Sequence, residues 1–142
     1  MRLSDSTQAL RWGFCLLMLA AAIGKLLDMP GFMSVVSSFR VLPEWLISPV
    51  AWALMLTELG LALWLVKGQN LSVAALCLFA MHFLYLVWTV IALARGLDLP
   101  NCGCFGVYWP RPLRWYTPLE DMLFMALALL LWRGSRYREA RV

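Results

Sequence analysis

Apolar residues in this chain come in long unbroken runs separated by short polar stretches. The runs cover about Leu10–Leu27, Trp45–Val66, Leu71–Ala94 and Pro118–Trp132. A helix needs about 20 such residues to cross a bilayer core. In lipid each segment must satisfy its own backbone N–H and C=O groups, so each run is expected to be a helix. The fourth run is the shortest and gains length by extending toward Tyr116. Pro30–Pro43 breaks the pattern and is too short and polar to span. It is expected to form a loop with a short helix over Phe32–Arg40 lying at the interface. Short connections make neighbouring spans antiparallel. The pattern therefore predicts an all-α fold: an integral membrane four-helix bundle with a short interfacial helix between spans 1 and 2. Residues 1–142 form a single four-span membrane domain in this reading, with an outer loop over 95–117.

Composition points the same way. Hydrophobic residues make up 63% of the 142 residues and charged residues 14%, against about 45–50% and about 25% in soluble domains. A cleaved signal peptide competes for the first run, because a basic start and Ala20-Ala21-Ala22 fit one. The run continues past the alanines to Lys25 without a polar mature start, which favours a retained helix. The net charge of +4 is dispersed over the ends of apolar runs, which argues for a lipid bilayer and no nucleic acid.

The same basic residues orient the chain. Arg2, Arg11, Lys67, Arg133, Arg136, Arg138 and Arg141 fall on the side of the termini, and Lys25, Arg40, Arg95, Arg111 and Arg114 on the other. The excess places both termini in the cytoplasm and the outer loop in the periplasm of a bacterial inner membrane. Trp12, Trp64 and Trp132 mark one interface, and Trp45, Trp109, Trp115 and Tyr116 the other.

The outer loop carries Asn101-Cys102-Gly103-Cys104-Phe105-Gly106. Two thiols one residue apart form a redox pair or half a metal site. A disulfide across one residue closes a very small ring, which tends to be strained and easily reduced. Gly103 eases the turn through its freedom at positive φ. So small a ring stabilises a fold little, which argues against a purely structural bond. Arg95, Arg111 and Arg114 are expected to favour the thiolate. Structural zinc wants four ligands, and the one histidine, His82, lies deep in the third run, so no metal site is assigned. Two thiolates still suit a soft ion such as copper(I).

Ionisable residues inside a span are functional candidates by default. Glu58 and His82 sit at similar depth, about 12 and 16 Å from the inner end at 1.5 Å per residue, and are expected to pair or share a proton. His82, Tyr85 and Thr89 share a stripe toward the loop, with Glu120 and Asp121 at the same outer end. Lys25, beside Gly24 and Asp28, is a candidate rather than merely a snorkelling lysine. The stripe is either a polar network fixing helix register or a polar track and quinone head-group pocket below the dithiol. Cys15 and Cys77 are read as small buried apolar residues.

These residues resemble the MauE methylamine-utilisation family within the DoxX-like membrane proteins. The resemblance covers nearly the whole chain. It runs through Arg11, Gly24-Lys25-Leu26, Asp28, Phe32, Arg40-Val41-Leu42-Pro43, Thr57-Glu58-Leu59-Gly60 and Arg95-Gly96 to Cys102-Gly103-Cys104-Phe105-Gly106, the most specific piece. It implies a four-helix membrane bundle that forms or maintains disulfides in a periplasmic client, alongside a thioredoxin-like protein. In the methylamine system the implied client is the disulfide-rich small subunit of methylamine dehydrogenase. This chain departs at Asn101, where members often have Asp, and at Glu120-Asp121, where they often have Arg-Asn. Both departures change the charge around the dithiol.

The expectation is thus an inner-membrane thiol–disulfide oxidoreductase or its membrane adaptor. Cys102 and Cys104 would exchange, with Gly103, Arg95, Arg111, Glu58, His82 and Lys25 in support. No motif marks an electron acceptor, and a quinone is the candidate. The alternatives are a soft-metal handling or transport protein and a noncatalytic membrane assembly subunit.

Overall fold

The computed structural model describes residues 5–139, leaving Arg2 and Arg141 outside. Five helices form: α1 (Asp5–Leu27), α2 (Met29–Ser38), α3 (Glu44–Lys67), α4 (Leu71–Ala94) and α5 (Thr117–Glu139). α1, α3 and α4 are each long and apolar enough to cross a membrane. Their 23–24 residues span about 36 Å at 1.5 Å per residue. Large apolar side chains stay exposed along the outer faces of the long helices, among them Leu16, Leu56, Leu84 and Leu123. In water such faces would be a liability, and a lipid environment satisfies them.

Each junction has a local cause. Asp28 ends α1 and starts α2, its carboxylate accepting the Gly31 N–H at 2.9 Å while Pro30 occupies the first turn. That cap starts α2 earlier than the apolar pattern had placed the short helix, at Met29 instead of Phe32. Gly68 and Asn70, both left-handed, turn α3 tightly into α4. α5 continues past Trp132 to Glu139, beyond the end of its apolar run.

The broadest contacts join α4 to α5 and α1 to α3, and narrower ones join α1 to α5 and α3 to α4. The four long helices therefore close a ring, with α2 laid against α3. One core cluster fills the middle, with Phe14, Met18, Leu65, Leu78 and Leu131 all nearly inaccessible. A second packs α2 onto α1 and α3 through Ala22, Phe32 and Met55. A third, of Phe39, Ala92, Leu99 and Leu113, sits under the loop that joins α4 to α5.

Candidate functional site

That loop is pinned at several points. The Leu113 N–H donates to the Leu99 carbonyl at 2.9 Å, and the Cys102 N–H to the Arg111 carbonyl at 2.6 Å. Within the turn, the Asn101 carboxamide works at both ends: Oδ1 accepts the Gly103 N–H at 2.9 Å and Nδ2 donates to the Gly106 carbonyl at 3.0 Å. Gly103 is buried with φ +80°, and a Cβ there would press on Val35 and Phe32. The outcome is a tight turn that sets the Cys102 and Cys104 sulfurs 2.6 Å apart, both unbridged.

Lys25 receives the turn from below. It is 2% exposed and Glu58 1%. Lys25 Nζ donates to Glu58 Oε1 at 2.9 Å, to Oε2 at 2.8 Å and to the Cys104 carbonyl at 2.8 Å. An ammonium has three N–H donors, so all three are used. Tyr85 closes the network by donating its hydroxyl to Glu58 Oε1 at 2.6 Å. Gly24 makes the approach possible: a Cβ there would collide with the Phe105 carbonyl, and one on Gly106 with Gly24 itself. Gly24-Lys25 of α1 and Cys104-Phe105-Gly106 of the loop are two halves of one joint.

The two thiols are unequal. A hydrogen bond from the Cys104 thiol, aided by the Arg111 charge, lowers Cys102 to about 7 despite its burial. The same bond, together with burial, raises Cys104 well above an ordinary thiol. The proton of the pair is thus favoured on Cys104 and the negative charge on Cys102. Arg111 is fixed by Glu120 at 2.7 Å, in a partly exposed pair.

The remaining expected site residues divide. Glu58, His82, Cys104 and Arg111 all border a small cavity of about 70 Å³ between the loop and the helices. His82 does not pair with Glu58. Its Nδ1–H is given to the Leu78 carbonyl at 2.9 Å, and its ring packs on Phe14 and Phe124. Lys25 takes the place His82 was expected to fill. Arg95 does not face the dithiol either: it donates to the Phe39 and Arg40 carbonyls, at 3.1 and 2.9 Å, and ties the end of α2 to the loop. Arg114 lies outside, 4.0 Å from Asp98. Cys15 donates to the Ala62 carbonyl within the core, and Cys77 packs beside that core. Among the described residues no cluster of three or more His, Cys, Asp or Glu could hold a metal ion. The sequence reading missed Asn101 as the clamp of the turn. The signal was an Asn two residues before a Gly, a side chain that readily bonds its own backbone.

The family model described as methylamine utilisation protein MauE matches residues 4–134. The chain belongs to the MauE family. MauE of Paracoccus denitrificans is 34% identical over 126 residues, which are 89% of this chain and 68% of that protein. MauE of Methylorubrum extorquens is 37% identical over 100 residues, 70% of this chain and 54% of that one. MauE of Methylophilus methylotrophus is 36% identical over 90 residues, 63% and 47%. The chain thus spans about two thirds of one curated MauE relative and about half of the others. No solved structure gives a significant match. The whole site of this MauE chain, from Lys25 to Asp121, falls within the matched span.

Proposed function

We propose that this MauE-family protein is a membrane thiol–disulfide exchanger whose working pair is Cys102 and Cys104. α5 is the fourth span, the termini are cytoplasmic, and α2 lies at the outer interface of a bacterial inner membrane. The loop then faces the periplasm, where disulfides form and persist. Cys102 attacks a sulfur of the incoming disulfide, and Cys104 resolves the mixed disulfide; the reverse sequence oxidises a partner dithiol. The partner in this reading is a disulfide-containing client in that compartment, served with a thioredoxin-like protein, and the relatives' name places such a client in methylamine utilisation.

The observation that carries this reading is the placement of two cysteine sulfurs in direct contact, either side of Gly103, on a turn anchored to a buried ion pair. A merely structural crosslink would not require that anchoring. The test is trapping in cells. Cys104→Ser is expected to accumulate a mixed disulfide through Cys102, resolved by mass spectrometry, and Cys102→Ser to trap at least tenfold less. Client disulfides that form normally in both variants would favour a noncatalytic assembly subunit. Stoichiometric copper on the purified protein, with no cycling disulfide, would favour metal handling.

A further inference from the structure

A thiol pair that oxidises a partner must pass two electrons on, and the proposed exchange leaves their destination open. The dithiol is bordered by a second cavity, larger than the one behind Cys104, with a volume of about 250 Å³. Its polar lining is Lys25 and Tyr85, both committed to Glu58, together with Cys102, Cys104, Thr89 and Asp121. Thr89 Oγ1 and Asp121 Oδ2 lie 3.5 Å apart and face each other across α4 and α5. The rest of the wall is apolar and partly aromatic, with Phe32, Val36, Leu54, Leu84 and Trp88. Trp88 is stacked at a tilt on Phe39 of α2, 5.7 Å between ring centres.

Size, chemistry and access agree on an occupant. An apolar cavity of about 150 Å³ accepts a benzene ring, so this one admits a substituted six-membered ring. An apolar chamber with a few polar groups at one end is the usual form of a small-molecule site. Leu84 belongs both to the cavity wall and to the outer surface, where it is 54% exposed. It lies within α4, one of the helices long and apolar enough to span. The chamber therefore reaches the lipid-facing surface of the bundle at Leu84. What enters there must be lipid-soluble, ring-shaped and able to take two electrons and two protons.

We propose that this cavity binds the head group of a membrane quinone, which reoxidises the Cys102–Cys104 dithiol. The proposal rests on the exchange reading above and names its electron acceptor. The two thiols lose two electrons and two protons and form one S–S bond. The quinone carbonyls gain the same two electrons and two protons and leave as quinol. One quinol hydrogen is the Cys104 proton, the other is taken from water in place of the proton Cys102 has already released, and no further co-reactant is needed. Thr89 and Asp121 stand where a ring carbonyl beside the sulfurs needs protic neighbours.

The test uses the full-length protein in lipid nanodiscs with the dithiol reduced. Decylubiquinone is added to one sample and diamide, a water-soluble thiol oxidant, to another. Thiols are alkylated at intervals and counted by mass spectrometry. With decylubiquinone, the Cys102–Cys104 bond is expected to form with one quinol released per disulfide. In Leu84→Trp, which plugs the half-exposed mouth, and in Leu54→Phe, which fills the chamber, the ratio of quinone-driven to diamide-driven oxidation should fall at least tenfold. A photoreactive quinone should label the segment holding Leu84 and Trp88. Oxidation by diamide but not by quinone overturns the quinone site and leaves the exchange reading standing. Unchanged ratios in both variants, with labelling elsewhere, also overturn it. Failure of any oxidant to close the bond brings down the exchange reading itself.

Discussion

At the scale of single residues, the asymmetry of the thiol pair has a measurable signature. Cys102 is lowered to about 7 chiefly by the hydrogen bond from the Cys104 thiol, then by the Cys104 backbone N–H and by the Arg111 charge. Its thiolate is therefore present above that pH and lost as the pH falls through it. The alkylation rate of Cys102, followed against pH, should show a midpoint near 7 in the wild type. In Cys104→Ala the midpoint should rise toward an ordinary thiol, about 8.5. In Arg111→Gln the shift should be upward but smaller. A midpoint in Cys104→Ala still near that of the wild type would remove the claimed role of the Cys104 hydrogen bond. Of all this, the sequence disclosed the pair, Gly103 and the favourable sign of Arg111. It could not disclose which thiol gives up its proton more readily. That difference comes from the hydrogen bond between the sulfurs, from the burial of Cys104 and from the Arg111 charge beside Cys102, all of them tertiary facts.

At the scale of elements, the joint between α1, α3 and the loop is the critical structure. Removing one member of a buried ion pair strands the other, at a cost of about 3–5 kcal/mol. Lys25→Ala and Glu58→Ala should each destabilise the fold by that order, read as a lowered unfolding midpoint in detergent. The double change Lys25→Met with Glu58→Met removes both charges and should recover much of the midpoint, since an apolar pair is often no less stable. It still lacks the bond to the Cys104 carbonyl, so the Cys102 alkylation profile should stay perturbed. A double variant with a wild-type profile would show that the pair only stabilises the helices. The periodicity placed Lys25 and Glu58 inside their spans, but it paired Glu58 with His82. Depth along an axis is readable from residue count, whereas rotation about the axis depends on how the helices meet. His82 turns toward Phe14 and Phe124, while Tyr85, one turn on, faces Glu58. The helix extents were the most legible part because in lipid the apolar run is the helix. The start of α2 was less legible, because the Asp28 cap lies just outside the apolar run.

At the scale of the whole molecule, the direction in which the bundle faces decides what chemistry it can meet. The basic side chains give seven on the side of the termini and five on the other, a modest asymmetry. A single cysteine in place of Tyr108, an exposed residue of the same loop, in a variant with the native cysteines replaced, should react with an impermeant maleimide added outside spheroplasts. One placed at Gln69 should react only after the membrane is opened. The opposite pattern would put the dithiol in a reducing compartment and reverse the sense of the exchange. The ring of four long helices also shows why a polar network survives here. α3 and α4 touch only narrowly, and a chamber lined by both is walled also by α2 and by the loop at Cys102, Gly103 and Cys104.

The three bonds of the Lys25 ammonium also bear on the order of biosynthesis. α1 leaves the ribosome first, carrying a buried cation with no partner. α3 follows and neutralises it with Glu58. The loop emerges only after both, and it finds a receptor already charged, aligned and one acceptor short. Docking of the Cys104 carbonyl fills that last position. A chain stalled before this step has no tethered turn and no paired sulfurs held in register. Chemical competence is thereby withheld until insertion is nearly complete, so a half-made chain is a poor agent for scrambling the disulfides of its neighbours.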